Sequence, residues 1–176
     1  MSDPGGGTPD WGEPRHKTVT WHDPAVTAGG IATRTGLDFL RAMRDGELPP
    51  PPIVALLGMR LAEIEPGLVV FECAPDESVY NPTGLVHGGL VSTMADSAAG
   101  CAVHSTLDAG VGFTSIDLTV SFLRPVTVAS GLLRATGRVT KPGRRVAFAA
   151  VEIVDGAGKL VASATSSILI MDPRPA

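Results

Sequence analysis

The cleanest hydrophobic pattern in the chain is an alternation. Between Phe113 and Leu123, apolar Ile116, Leu118, Val120 and Phe122 alternate with Ser115, Asp117, Thr119 and Ser121. A period of two sends one set to each face of a β-strand, so this stretch predicts a half-buried strand that ends at Arg124-Pro125. Three more strands are predicted at about 130–140, 144–155 and 159–171, separated by Pro142-Gly143 and Gly156-Ala157-Gly158. Turns this tight make sequential strands antiparallel neighbours. Two further strands, at about 58–65 and 68–73, flank the turn signal Pro66-Gly67. The period changes at Gly88. From there to about Thr106 the chain reads as a long helix whose Ser92, Ala95, Ser97, Ala98, Ala99, Gly100 and Ala102 are all small. Small side chains let other backbone come close, which predicts a helix wrapped by a sheet over much of its surface. A shorter helix is predicted from the N-cap Thr35, with Asp38 completing a capping box and Gly46 as the stop. Leu37, Leu40 and Met43 share one of its faces, and Pro49 to Pro52 break the chain after it.

Helix, two strands, long helix and four strands make an α+β fold, an antiparallel sheet curled around one central helix. The organisation follows. Residues 1–34, rich in Gly, Pro and Thr, read as a flexible N-terminal extension, with Met1 to Pro14 disordered. Trp21, in Val19 to Pro24, either docks on the body or stays in solvent. Residues 35–52 read as the short helix and a Pro-rich linker, and 53–171 as the folded domain.

Composition narrows the class. The 176 residues suit one domain, and 44% apolar against 18% charged residues allow a real core. A net charge of −4 argues against nucleic-acid binding through phosphate contacts. Cys73 and Cys101 cannot make a disulfide framework, which favours a reducing compartment. No apolar run approaches the roughly 18 residues of a membrane helix, and the acidic, Gly/Pro-rich start is unlike a secretory signal. The expectation is a cytoplasmic protein without a membrane or nucleic-acid partner.

The densest chemistry is Asn81-Pro82-Thr83-Gly84-Leu85-Val86-His87-Gly88-Gly89, followed by Asp96 inside the long helix. Backbone N–H groups at a helix start favour developing negative charge, and with no side chain at Gly88 or Gly89 a carbonyl could approach them. Asp96 has no cation three or four residues away on its helix. It is either a general base or nucleophile facing a cleft, or a carboxylate satisfied by hydroxyls or a strand from elsewhere. His87 reads equally as a loop residue bonded to backbone, and Asn81 as a turn residue. Cys101 and His104 lie one turn apart, but no second pair has zinc spacing, so no metal is expected. Neither a phosphate-binding Gly-Lys-Ser/Thr loop nor a Gly-x-Ser-x-Gly elbow is present. Arg138, Lys141, Arg144 and Arg145 crowd a hairpin, as a solvated turn or a phosphate clamp.

As a set, Asn-Pro-x-Gly-x-Val-His-Gly-Gly with Asp96 nine positions after His87 resembles the hotdog-fold acyl-CoA thioesterases of the PaaI type, which include the Arthrobacter-type 4-hydroxybenzoyl-CoA thioesterase. Leu57-Gly58-Met59-Arg60, Phe122-Leu123-Arg124-Pro125, Pro142-Gly143-Arg144 and Asp155-Gly156 fit the same pattern, over about residues 50–171. The resemblance implies a helix inside a curled antiparallel sheet, and a homodimer or homotetramer with active sites at the subunit interface. It implies hydrolysis of an acyl-CoA thioester without a cofactor. Asp96 then matches the acid that activates water or attacks the carbonyl, and Gly89 the glycine whose amide polarises it. His87 and Asn81 match positions that order the loop, carbonyl or water. Ser115 matches a hydroxyl contributed across the interface, with Thr114 as the fallback if the strand slips by one residue. Gly88 is expected to bind substrate, and Arg144 and Arg145 to meet the coenzyme A phosphates. Gly100 stands where the 4-hydroxybenzoyl branch has Thr, which argues against that substrate. Two other readings compete: a non-catalytic acyl-CoA-binding or sensing hotdog protein, and a hotdog hydratase or dehydratase.

Overall fold

The structure is a computed structural model and describes residues 10–171. The part of the expected disordered tail at residues 1–9 lies outside the described residues. The elements are α1 (Pro24–Gly29), α2 (Gly36–Arg44), α3 (Pro52–Leu57), β1 (Met59–Glu65), β2 (Leu68–Cys73), α4 (Gly88–His104), β3 (Gly112–Phe122), β4 (Leu133–Lys141), β5 (Val146–Val154) and β6 (Leu160–Met171). The six strands form one antiparallel sheet in the order β1-β2-β4-β5-β6-β3. It curls around α4, which touches every strand.

The small residues of α4 explain the closeness of that wrap. Met94, Ala95, Ala98, Ala99 and Ala102 are wholly buried. At Gly137 of β4 a Cβ would stand 2.2 Å from the Ala98 carbonyl oxygen, so helix and strand meet backbone to backbone. Beside it, the inward residues of β5, Ala147, Ala149, Val151 and Ile153, are also buried.

The alternation of β3 is interrupted. A bulge between Ser115 and Asp117 leaves Ile116 without a partner on β6 and 55% exposed. Phe113 and Ser115 face α4 before the bulge, and Leu118 and Val120 face it afterwards. The uniform two-residue face predicted from sequence is therefore wrong at Ile116, and Ser115 belongs to the inner side. Other boundaries also shift. Ser130, expected to open a strand, belongs instead to a 3-10 turn at Val128–Ser130 held by reciprocal Thr127 and Ser130 side-chain bonds, and β4 starts at Leu133. Gly58 is the left-handed cap of α3 rather than a strand residue.

The N-terminal helices sit outside this sheet. Thr35 caps α2 as expected: its hydroxyl accepts from the Asp38 amide (3.2 Å) and donates to the Asp38 carboxylate (2.7 Å). Phe39, Leu40 and Ala42 are its buried side chains, with Leu37 and Met43 half-buried beside them. Within the segment expected as a flexible extension, α1 and a 3-10 turn at Gly30–Ala32 form, and Thr27 and Gly30 are buried. Trp21 is 62% exposed. His104, at the end of α4, lies between the rings of Phe39 (5.2 Å) and Phe113 (4.8 Å), and burial pushes its pKa down to about 4.

Two stability results follow from this packing. Gly137→Ala is expected to cost about 2 kcal/mol or more and lower Tm by roughly 5 °C, because the methyl meets helix backbone. Gly29→Ala, with nothing within 4 Å, should be neutral within about 0.5 kcal/mol in the same melts. For His104, the unfolded chain takes up a proton near pH 6.5 and the folded chain only near pH 4. Stability is therefore lost as pH falls through that window, by on the order of 3 kcal/mol. Urea melts of His104→Leu across pH 4–6.5 should show a shallower slope than those of the wild type.

Candidate active site

The loop before α4 is built by side-chain oxygens. Asp76 caps a 3-10 turn at Glu77–Val79 and accepts from Lys17 Nζ at 2.7 Å. The bonds from Lys17 and Ser78 hold its pKa down to about 2. Asn81 Oδ1 accepts from the amides of Thr83 (3.0 Å) and Leu85 (3.1 Å) and from the Thr83 hydroxyl (2.7 Å). This folds the Asn-Pro-Thr-Gly turn and occupies the carbonyl end of the side chain, so the Nδ2 amide is the end left for a ligand. The His87 amide donates to the Val79 carbonyl (2.8 Å), fixing where α4 begins.

His87 is the N-cap of α4, and its Nδ1 accepts the Gly89 amide proton at 2.8 Å. A neutral imidazole that accepts at Nδ1 carries its proton on Nε2, so His87 presents an N–H outward. The same bond corrects an expectation. The Gly89 amide, read from sequence as the donor to a substrate carbonyl, is already used by the cap. The Gly88 amide has no acceptor among the described residues. Gly88 is roofed by Phe122, whose Cζ would lie 3.0 Å from a Cβ placed there. Asn81, Gly88, Phe122 and Arg124 line one open groove.

Asp96 is elsewhere. It stands on the side of α4 that the sheet leaves open, and it is exposed rather than enclosed by its apolar neighbours. The Ser115 hydroxyl donates to Asp96 Oδ1 at 2.6 Å. This bond is within one chain, so Ser115 joins the acid of its own subunit and not one across an interface. Thr114 points away, exposed, on the other side of β3. Asp96 and Ser115 border a separate cavity of about 240 Å³, with Leu61, Phe71 and Phe113 among its walls. Cys101 also lines it, with its thiol pushed up to about 12 by burial and by the nearby Asp96 charge, so it stays protonated. Arg144 and Arg145 are exposed on the β4–β5 hairpin and line neither concavity.

Asp96 lies eight positions along the helix from Gly88, about 12 Å at 1.5 Å per residue. A carbonyl in contact with one is out of reach of the other within the same chain.

The thioesterase superfamily model matches residues 83–162, from the Asn81 turn to the start of β6. Acyl-coenzyme A thioesterase 13 of Homo sapiens is 31% identical over 103 residues, covering 58% of this chain and 72% of that protein. The chain belongs to the thioesterase superfamily. It is a thioesterase, and its fold is the hotdog fold. The solved structure of a phenylacetic acid degradation-related protein from Ralstonia eutropha superposes with a TM-score of 0.68 at 32% identity, over 74% of this chain and 98% of that one. The PaaI protein of E. coli has the same TM-score at 23% identity, covering 80% of this chain and 97% of that one, a likeness of fold.

For a thioesterase the two clusters have complementary chemistry. One offers a carboxylate with a hydroxyl on one oxygen and solvent at the other. The second offers N–H groups at a helix N-terminus, where the macrodipole favours an oxyanion. Sequence reasoning gave no site role to three features that line these concavities: Phe122 and Arg124, read as part of a strand and its end within the family pattern, and the walls from α2 and α3. The superfamily match starts after Asn81, so none of α2 and α3 lies within it.

Proposed function

We propose that this thioesterase hydrolyses acyl-coenzyme A esters at a site shared by two copies of the chain. Asp96 and Ser115 come from one copy, and Gly88, His87 and Asn81 from the other. The observation that carries the reading is the Asp96–Ser115 pair at the mouth of an apolar cavity, about 12 Å of helix away from the free Gly88 amide. Only a second chain brings both to one carbonyl.

The edge strand supports such a pairing. β3 has an unpaired edge of 11 residues and carries exposed Ile116 and Phe122, with exposed Leu123 just beyond it. The other edge, β1, is bulged and carries Arg60, Glu63 and Glu65, features that discourage pairing. Two β3 edges side by side would continue the sheet and bury those apolar groups.

In the proposed reaction Ser115 holds Oδ1 of Asp96, and Oδ2 takes a proton from water as the water oxygen attacks the thioester carbon. The carbonyl oxygen gains charge against the Gly88 N–H and the start of α4, with the His87 Nε2–H and the Asn81 amide ordering the loop side. The C–S bond then breaks. The thiolate leaves with the electron pair, and the proton on Asp96 returns to it or to solvent. We assign the coenzyme A portion to Arg124, which lines the Gly88 groove, in preference to Arg144 and Arg145, which do not. Likeness to the phenylacetic acid degradation-related protein supports a PaaI-type assignment, and Gly100 favours a substrate other than 4-hydroxybenzoyl-CoA.

Thiol release from acyl-CoA substrates tests the base. Asp96→Asn is expected to lower kcat by about 10²–10⁴-fold, with Tm and oligomer size unchanged. Ser115→Ala should lower it by roughly tenfold, as one hydrogen bond to the carboxylate is lost. Wild-type turnover in Asp96→Asn would show that another group activates the water.

A further inference from the structure

The cavity at Asp96 has a wall that the superfamily match does not contain. Met43 of α2, Pro50 and Pro51 of the linker, and Ile53 and Val54 of α3 close it from outside the sheet. We propose that this α2–α3 segment is the acyl-selecting wall of the thioesterase, admitting an uncharged acyl group of medium chain length or a single aromatic ring. The proposal rests on the reading that Asp96 marks the position of the thioester carbonyl.

Charge is decided by the lining. Its ionisable groups are Asp96 and Cys101, and the Cys101 thiol is neutral. Among the described residues no cation lines the cavity. A second carboxylate on the acyl group would be buried beside Asp96 without a partner, a strongly unfavourable arrangement. Size follows from volume. An apolar cavity of about 150 Å³ holds benzene, so about 240 Å³ holds roughly nine carbons. The floor is shaped by Gly100. A Cβ there would come 2.8 Å from Phe113 Cε2, so the glycine leaves the room that the ring takes against α4.

Within this wall α3 carries less of the core than α2, whose Phe39, Leu40 and Ala42 are buried in it. Helix α3 has no buried residue, and Ile53 is 43% exposed while also lining the cavity. Its position is nevertheless defined. The Thr27 hydroxyl of α1 donates to the Pro49 carbonyl at 2.7 Å, and Cys73 Sγ donates to the Leu57 carbonyl at 3.2 Å. From the Pro49 anchor, Pro50 and Pro51 stiffen the linker and Pro52 opens α3. The segment before the sheet thus acquires a role: α1 pins the linker, and the linker presents Ile53 and Val54 to the acyl chain.

The test is kcat/KM for acetyl-, octanoyl-, dodecanoyl-, benzoyl- and glutaryl-CoA with the wild type, Ile53→Ala and Ile53→Trp. The wild type is expected to prefer octanoyl- and benzoyl-CoA to glutaryl-CoA by at least about tenfold. Ile53→Trp should lower the octanoyl-to-acetyl ratio by about tenfold, and Ile53→Ala should raise the dodecanoyl-to-octanoyl ratio by a similar factor. Identical ratios in all three proteins overturn the proposal, as does glutaryl-CoA turned over as well as octanoyl-CoA. An equal loss on every ester in both variants also overturns it, because the segment then supports the fold without selecting. A wild type that releases no thiol from any ester removes the acyl-CoA reading itself, and the wall falls with it; ratios unchanged in an active enzyme remove the wall alone.

Discussion

Everything in this protein is referred to one backbone contact, the seating of α4 against the sheet. Gly137 lies against the Ala98 carbonyl, and four alanines of α4 are wholly buried, so the helix has little freedom to slide or rotate. A helix held this way has fixed ends and a fixed open side. Its N-terminus is set by the His87 cap and the Asn81 turn, and its open side carries Asp96. The proposed chemistry is therefore positioned by packing away from the site itself, which is how a site stays organised while the loops around it vary.

The same rigidity separates the groups that the proposed reaction needs together. A straight helix cannot bring its first residue and its ninth to one carbonyl. The proposed pairing of two chains resolves this without moving any element, by placing the N-terminus of one α4 near the open side of the other. The bulge in β3 contributes in two ways. It turns Ser115 inward to the carboxylate, and it turns Ile116 outward on the edge assigned to the partner.

Much of the fold was legible because its elements follow simple periods. The small-residue helix, the strand pairs around Pro66-Gly67 and Pro142-Gly143, and the Thr35–Asp38 cap all have local signals. The bulge does not, since an extra residue in β3 depends on its pairing with β6. The α3 helix was legible in principle: Pro52 at its first position and Gly58 just past its end are the usual punctuation of a short helix. The four prolines drew the reading toward a linker instead. At the candidate site, the spacing of His87 and Asp96 singled out one stretch of chain, but which glycine amide is free depends on where the imidazole points. That orientation is tertiary information, as is the distance that leaves Arg144 and Arg145 away from both concavities.

The most direct measurement of the shared site is complementation between two defective chains. Asp96→Asn and Gly88→Val are each expected to lose at least about a hundredfold in activity when expressed alone. Co-expressed and randomly paired, half of the dimers are mixed, and each mixed dimer has one intact site of its two. Acyl-CoA hydrolysis should then recover to about a quarter of the wild-type level. A mixture no more active than either variant alone would show that each chain completes its own site, and would contradict the account.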